Sequence, residues 1–128
     1  MSGQLLDRAA AVVGLDRAAE AVRGHAYRFT SERELQDGLA RVLDRLGVAV
    51  HREHSLNAKD RPDFFLEGGL VVEVKCDGSP ADLVRQVFRY AQHPAVHAIL
   101  VVVSLRRLTA LPSTMNDKPV RVAFVGGV

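Results

Sequence analysis

Apolar residues recur at three- and four-residue steps from Leu35 through Leu39, Val42 and Leu43 to Leu46, which marks one face of a helix. Thr30 and Ser31 open this helix and Gly47 ends it. Residues 4–23 also read as helical. They divide into LLDRAAAVVG and LDRAAEAVRG, with Gly14 and Gly24 as stops, so two short helices in a small hairpin are expected ahead of the main core. A DNA-reading helix-turn-helix is the rarer version of such a pair. Downstream the period falls to two. Residues 48–55, VAVHREHS, carry a strand pattern, and 63–66 and 70–75 form two short strands joined by Glu67, Gly68 and Gly69. Gly78, Ser79 and Pro80 then break the chain. Pro80 suits the first turn of a helix over 81–92, which His93 and Pro94 end. HAILVVVS, residues 97–104, is apolar on both faces, as a buried strand is. One more strand is expected at 120–125, after a polar loop around Asn116 and Asp117.

The resulting order is helix, three strands, helix, strand, with a terminal strand and added N-terminal helices. It predicts an α/β fold, a mixed sheet flanked by helices. A chain of 128 residues with no low-complexity linker is read as one domain, with residues 1–28 a helical extension and 31–104 the core. Trp is absent and aromatics are few, so Leu, Val and Ala must fill that core. No apolar run approaches the roughly 20 residues of a membrane span. Asp7, Arg8, Asp16 and Arg17 interrupt any signal-peptide pattern, and a cytoplasmic location is expected. Cys76 is the sole cysteine, which excludes an internal disulfide. The net charge of +2 permits a nucleic-acid partner without arguing for one. Lys stands only at positions 59, 75 and 118, and the other fixed cations are Arg. Arg suits bidentate phosphate contacts, although a GC-rich coding sequence explains most of the bias.

The pattern breaks within VVEVK, residues 71–75. Side chains alternate across a strand, so Glu73 and Lys75 share one face and Val72 and Val74 the other. Charges inside an apolar strand need a reason, because burying an unpaired charge is costly. If Leu66 pairs with Leu70 across the three-residue turn, Asp63 lies opposite Glu73. Facing carboxylates repel. A divalent cation between them turns repulsion into binding, and Mg²⁺ is held by one or two carboxylates plus substrate phosphate oxygens. Lys75 can steady the attacking water or the phosphate. A two-residue turn would put Asp63 on the wrong face. Glu32 precedes Leu35 and Leu39 by three and seven positions and extends the buried helical face towards the same place. Glu34 serves the helix start instead, where it forms a capping box with Ser31. The competing structural reading is a solvent-facing hairpin with a surface Asp63.

These residues resemble the PD-(D/E)xK nuclease superfamily. The likeness rests on Pro62-Asp63, nine intervening residues and Glu73-Val74-Lys75, with Glu32 in SERELQ at the family's first acidic position. Gln86 and Tyr90, in QVFRY, are similar to the QxxxY motif of the RecB-like and Holliday-junction-resolvase-like branches. The likeness spans about residues 31–104. It implies a restriction-endonuclease-like core and a Mg²⁺- or Mn²⁺-dependent deoxyribonuclease of repair, recombination or phage DNA processing. By the same resemblance Asp63, Glu73, Glu32 and the Val74 carbonyl hold the metal, Lys75 orients water or stabilises developing charge, and Gln86 positions Lys75 or the phosphate. Tyr90 packs below Gln86 or joins the site. Arg85 and Arg89, on the Gln86 helix, are candidate contacts to the DNA backbone. DNA is the expected partner, with RNA open, and the small core favours a homodimer or a larger complex. The alternative is a catalytically silent module of the same fold that binds DNA or recruits a protein. Paired histidines, His51 with His54 or His93 with His97, lack a cysteine partner at zinc spacing. Cys76 points away from Lys75 as buried filler.

Overall fold

A computed structural model describes residues 2–126, with side chains from Asp7 onward. Helix α1 runs Ser2–Arg23 and α2 Glu32–Asp44. Strands β1 (Val50–Arg52), β2 (Phe64–Leu66) and β3 (Leu70–Lys75) follow, then α3 (Pro80–Gln92) and β4 (Ala98–Val103). A 3₁₀ turn at Arg106–Leu108 leads to β5 (Thr114–Met115) and β6 (Lys118–Phe124). The strands form one mixed six-stranded sheet in the order β1-β2-β3-β4-β6-β5. β1, β2 and β3 are antiparallel neighbours, whereas β3, β4 and β6 run parallel. The protein is therefore α/β, with helices on both faces of the sheet. None of the described helices is long and apolar enough to cross a membrane.

Alternation sorts the side chains. Val72, Val74, Leu100 and Val102 face α1 and α2, together with Leu35, Leu39 and Leu43. Val71, Ile99, Val101 and Val103 face α3 and its Leu83, Val87 and Tyr90. β4 is buried along its whole length, as its apolar run requires. α2 begins where Ser31 accepts the Glu34 amide, and α3 begins at Ser79, which accepts the Asp82 amide.

Three expectations change. The expected helical hairpin is one continuous helix, α1, with Gly14 inside it. An interior glycine costs about 1 kcal/mol relative to alanine. Burial of Leu15, Ala18, Ala19 and Val22 on the sheet outweighs that cost. α1 thus contributes to the same core as α2, although its sequence lies outside the motif region. The strand expected at 48–55 shortens to three residues, because Glu53 takes a left-handed φ of 51° and turns the chain. The loop at Asn116–Asp117 is a tight two-residue turn between β5 and β6, with φ of 49° and 63°. Asn and Asp tolerate that conformation best among non-glycine residues.

The hairpin of β2 and β3 has the register that the three-residue turn requires: Leu66 opposes Leu70 and Phe64 opposes Val72. Gly68 and Gly69 supply the positive φ values, 90° and 81°. Gly69 also has no room for a side chain, since a Cβ there would lie 2.6 Å from the Ala95 carbonyl oxygen.

Candidate active site

β2 begins at Phe64, opposite Val72, while β3 continues to Lys75. Beyond that pair, side chains replace main-chain pairing along the same edge of β3. Asp63 Oδ2 accepts the Val74 amide at 2.8 Å, and Glu73 Oε1 accepts the Asp63 amide at 3.1 Å. The Asp63 carbonyl still receives the Glu53 amide at 2.9 Å, which fixes Asp63 from its other side. Asp63 and Glu73 are thereby clipped to one another on the sheet face that α3 covers.

Burial makes this an electrostatically tense pair. Glu73 is only 4% exposed. Loss of hydration, then repulsion from Asp63, push its carboxyl up to about 8; the Asp63 amide, Lys75 and the Tyr90 hydroxyl oppose the rise. The Asp63 carboxyl is also raised, first by burial and further by Glu32, against the Val74 amide, Lys75 and Glu73. Lys75 Nζ lies 3.9 Å from Glu73 Oε2 and remains about a third exposed, with 31% of its side chain open. The Gln86 amide donates to the Tyr90 hydroxyl oxygen at 3.0 Å, leaving the Tyr90 proton for Glu73. The four-residue helical spacing of Gln86 and Tyr90 is what stacks them on one side of α3. Tyr90 is both core and site: it is fully buried, and burial with neighbouring Glu73 holds its phenol well above its ordinary range.

Glu32 arrives from the other side of the sheet. Its Oε1 accepts the Cys76 amide at 3.0 Å, just past the end of β3. Glu34 turns away to cap α2, with Thr30 donating to its carboxylate at 2.5 Å. In a strand, the N–H and C=O of one residue point to the same edge. Since the Val74 amide reaches Asp63, the Val74 carbonyl faces that open edge too, between the amides taken by Asp63 and Glu32.

The donor set fits a hard divalent cation. Backbone amides take Asp63 Oδ2 and Glu73 Oε1, which leaves Asp63 Oδ1 and Glu73 Oε2 without main-chain partners among the described residues, and the Val74 carbonyl faces the same edge. No three acidic, histidine or cysteine side chains gather into a closed metal cluster among the described residues. Two carboxylates and a carbonyl, with substrate completing the shell, is the arrangement that Mg²⁺ tolerates. His93 and His54 have other partners. His93 Nε2 contacts the Leu56 carbonyl at 2.8 Å, and His54 stacks on Phe65 at 4.8 Å between ring centres. Cys76 packs towards the α1 and α2 side, and burial raises its thiol.

Beside the carboxylates lies a cleft of about 390 Å³ whose lining includes Lys75, Gly78, Ser79, Arg85, Gln86 and Arg89. Arg85 pairs with Asp82 on the exposed face of α3. Arg89 donates through Nε to Asp60 at 3.0 Å. Asp60 does not stand out in the sequence, because NAKDR reads as an ordinary polar loop. The one available signal is Asn57 ahead of it, whose side chain accepts the amides of Lys59 and Asp60 in an Asx turn. A larger cavity, about 510 Å³, lies at the opposite end of the hairpin, near Gly68, Gly69 and α1. It is lined mainly by apolar surface and contains none of the paired carboxylates. No family model, curated protein or solved structure matches the chain.

Proposed function

We propose that the protein is a metal-dependent nuclease with a restriction-endonuclease-like core, cutting phosphodiester bonds in DNA. One observation carries this reading: a buried carboxylate, Glu73, and a half-buried one, Asp63, repel each other beside a lysine at the bare edge of a strand. A fold gains nothing from such a pair unless a cation or a proton relieves it. Asp63, Glu73 and the Val74 carbonyl would hold Mg²⁺ or Mn²⁺, and Glu32 flanks them. Such an ion lowers the pKa of water and neutralises charge on the scissile phosphate.

The remaining work falls to the chain itself. Lys75 shares the face of Glu73 and opens onto the cleft, where its ammonium can orient water or meet charge developing on phosphate. Tyr90 holds Glu73 in place through its hydroxyl, and Gln86 holds Tyr90. The positions of these groups are set by β3 and α3 rather than by loops, which favours precise placement.

The test is incubation with labelled linear, circular, branched and single-stranded DNA in Mg²⁺, Mn²⁺ or EDTA. Cleavage of at least one substrate is expected with metal and none in EDTA, and Asp63→Asn should abolish it. If no substrate is cut in either metal, the enzymatic reading is lost.

The two helix glutamates give a second expectation. Glu32→Gln should lower the cleavage rate while barely moving Tm, because the amide oxygen can still accept the Cys76 N–H. Glu34→Gln should keep activity, since its role is confined to the cap. Loss of cleavage in Glu34→Gln with full activity in Glu32→Gln would reverse the assignment.

A further inference from the structure

We propose that Asp60 is a positioning residue that aims Arg89 into the cleft beside Lys75, where Arg89 grips a substrate phosphate next to the one that is cut. This rests on the nuclease reading of the Asp63–Glu73 site.

Asp60 and Glu73 are the buried carboxylates of the described residues, at 7% and 4% exposure. The burial of Glu73 belongs to the metal site. That of Asp60 calls for its own reason, because a carboxylate taken from water is costly unless fully partnered. Its Oδ1 accepts Arg89 Nε at 3.0 Å and its Oδ2 accepts the Asn57 amide group at 3.3 Å. The loop is wound around it. Leu56 donates its amide to the Asp60 carbonyl at 2.8 Å, and His93 ties the Leu56 carbonyl to the end of α3. The segment leading to Asp63 is therefore fixed to the helix that carries Gln86, Arg89 and Tyr90.

Arg89 is the less enclosed partner. Its side chain is 51% exposed, against 9% for Asp60. Only Nε is engaged by the protein; the terminal nitrogens have no acceptor among the described residues, and the side chain lines the cleft with Lys75 and Gln86. A guanidinium fixed at Nε keeps its two terminal amino groups in a defined plane. That geometry matches two oxygens of one phosphate, and Arg provides it where Lys cannot. An ion pair serving only the fold has no need to leave this fork turned into a cleft beside the paired carboxylates.

The proposal is tested by DNA affinity in Ca²⁺, measured over a range of salt, for the native protein, Arg89→Lys and Asp60→Asn. The probes are a short single-stranded oligonucleotide and the matching duplex. Arg89→Lys keeps the charge and loses the fork. Asp60→Asn keeps the shape and an acceptor for Nε but loses the charge that fixes it. Both variants should bind at least one probe about tenfold more weakly. Asp60→Asn, which frees the guanidinium to leave the cleft, should also lower the slope of log affinity against log salt by about one phosphate contact, whereas Arg89→Lys, which keeps its charge, should leave the slope near native. The double variant should be no weaker than the worse single variant, because the two residues act as one unit. A purely structural ion pair predicts the opposite sign for Asp60→Asn. Arg89 would be left uncompensated, and binding to a polyanion would tighten. Tighter binding in Asp60→Asn, a native slope in that variant, native affinity in Arg89→Lys, or no binding of either probe by the native protein overturns the proposal. If Asp60→Asn does not fold, Arg89→Lys, at a half-exposed position, decides alone. Cleavage in Mg²⁺ is read separately. A native protein that binds with the expected slopes and never cuts defeats the nuclease reading and upholds the clamp. One that cuts, with native affinity in Arg89→Lys and a native slope in Asp60→Asn, does the reverse.

Discussion

Lys75→Ala is expected to slow phosphodiester cleavage by about 10²–10³, the usual cost of removing one donor aimed at transition-state charge. Its place on the strand sets this expectation: Lys75 Nζ stands 3.9 Å from Glu73 Oε2 and opens onto the cleft. DNA affinity in Ca²⁺ should fall far less, since one phosphate contact is only one of several. A second effect accompanies the first. Lys75 holds down the carboxyls of both Asp63 and Glu73. Without it their protons are held to higher pH, so the metal dependence of the residual activity should shift towards alkaline conditions. Cleavage rate in Mg²⁺ across pH, paired with affinity in Ca²⁺, separates the two effects. A variant that loses affinity as steeply as rate would mark Lys75 as a binding residue rather than a catalytic one.

The metal-free protein should lose stability as pH rises from about 5 to about 8, with the pair as the cause. The Glu73 carboxyl rises from an ordinary 4.5 to about 8 in the fold. Between those values the folded state keeps a proton that the unfolded chain has released. Stability is therefore greatest at the acid end of the window and falls as pH climbs through the folded value. One pKa unit corresponds to about 1.4 kcal/mol, so the whole excursion is worth a few kcal/mol. For a domain of this size about 1 kcal/mol moves Tm by roughly 3–6 °C. A fall on the order of 10 °C between pH 5 and pH 8 in EDTA is the expected result. Glu73→Gln should flatten the curve and raise Tm at the alkaline end, because its amide keeps the bond from the Asp63 N–H without the charge. Millimolar Mn²⁺ should restore Tm in the native protein at alkaline pH by binding the folded state, and should do little for Glu73→Gln. A Tm that is flat or rising with pH in EDTA would show that the pair is not strained as described.

Much of this site is legible in the chain because strand alternation is a strict rule. Glu73 and Lys75 must share a face, and a three-residue turn brings Asp63 opposite Glu73. Helical phase likewise separates Glu32, which reaches Cys76, from Glu34, which caps its own helix. Other features depend on contacts that no local pattern encodes. Gly14 reads as a helix stop, yet the neighbouring Leu15 and Ala18 have a sheet to bury against, and packing overrides propensity. Asp60 reads as a loop residue because its partner, Arg89, is 29 positions away. The turn at Asn116–Asp117 requires two consecutive left-handed residues, a condition that polarity alone does not express.

The clipping of Asp63 against Glu73 has a consequence for how this hairpin can vary. The interval between them is a question of parity rather than of loop length. Lengthening both strands by one residue preserves the facing pair. A single insertion within β2, between Asp63 and the turn, rotates Asp63 to the opposite side of the sheet, towards Val72, Val74 and Leu100, where a carboxylate has no partner. Within the strands the pair therefore tolerates even changes of spacing and not odd ones. Gly68 and Gly69, at the far end of the hairpin, keep the count.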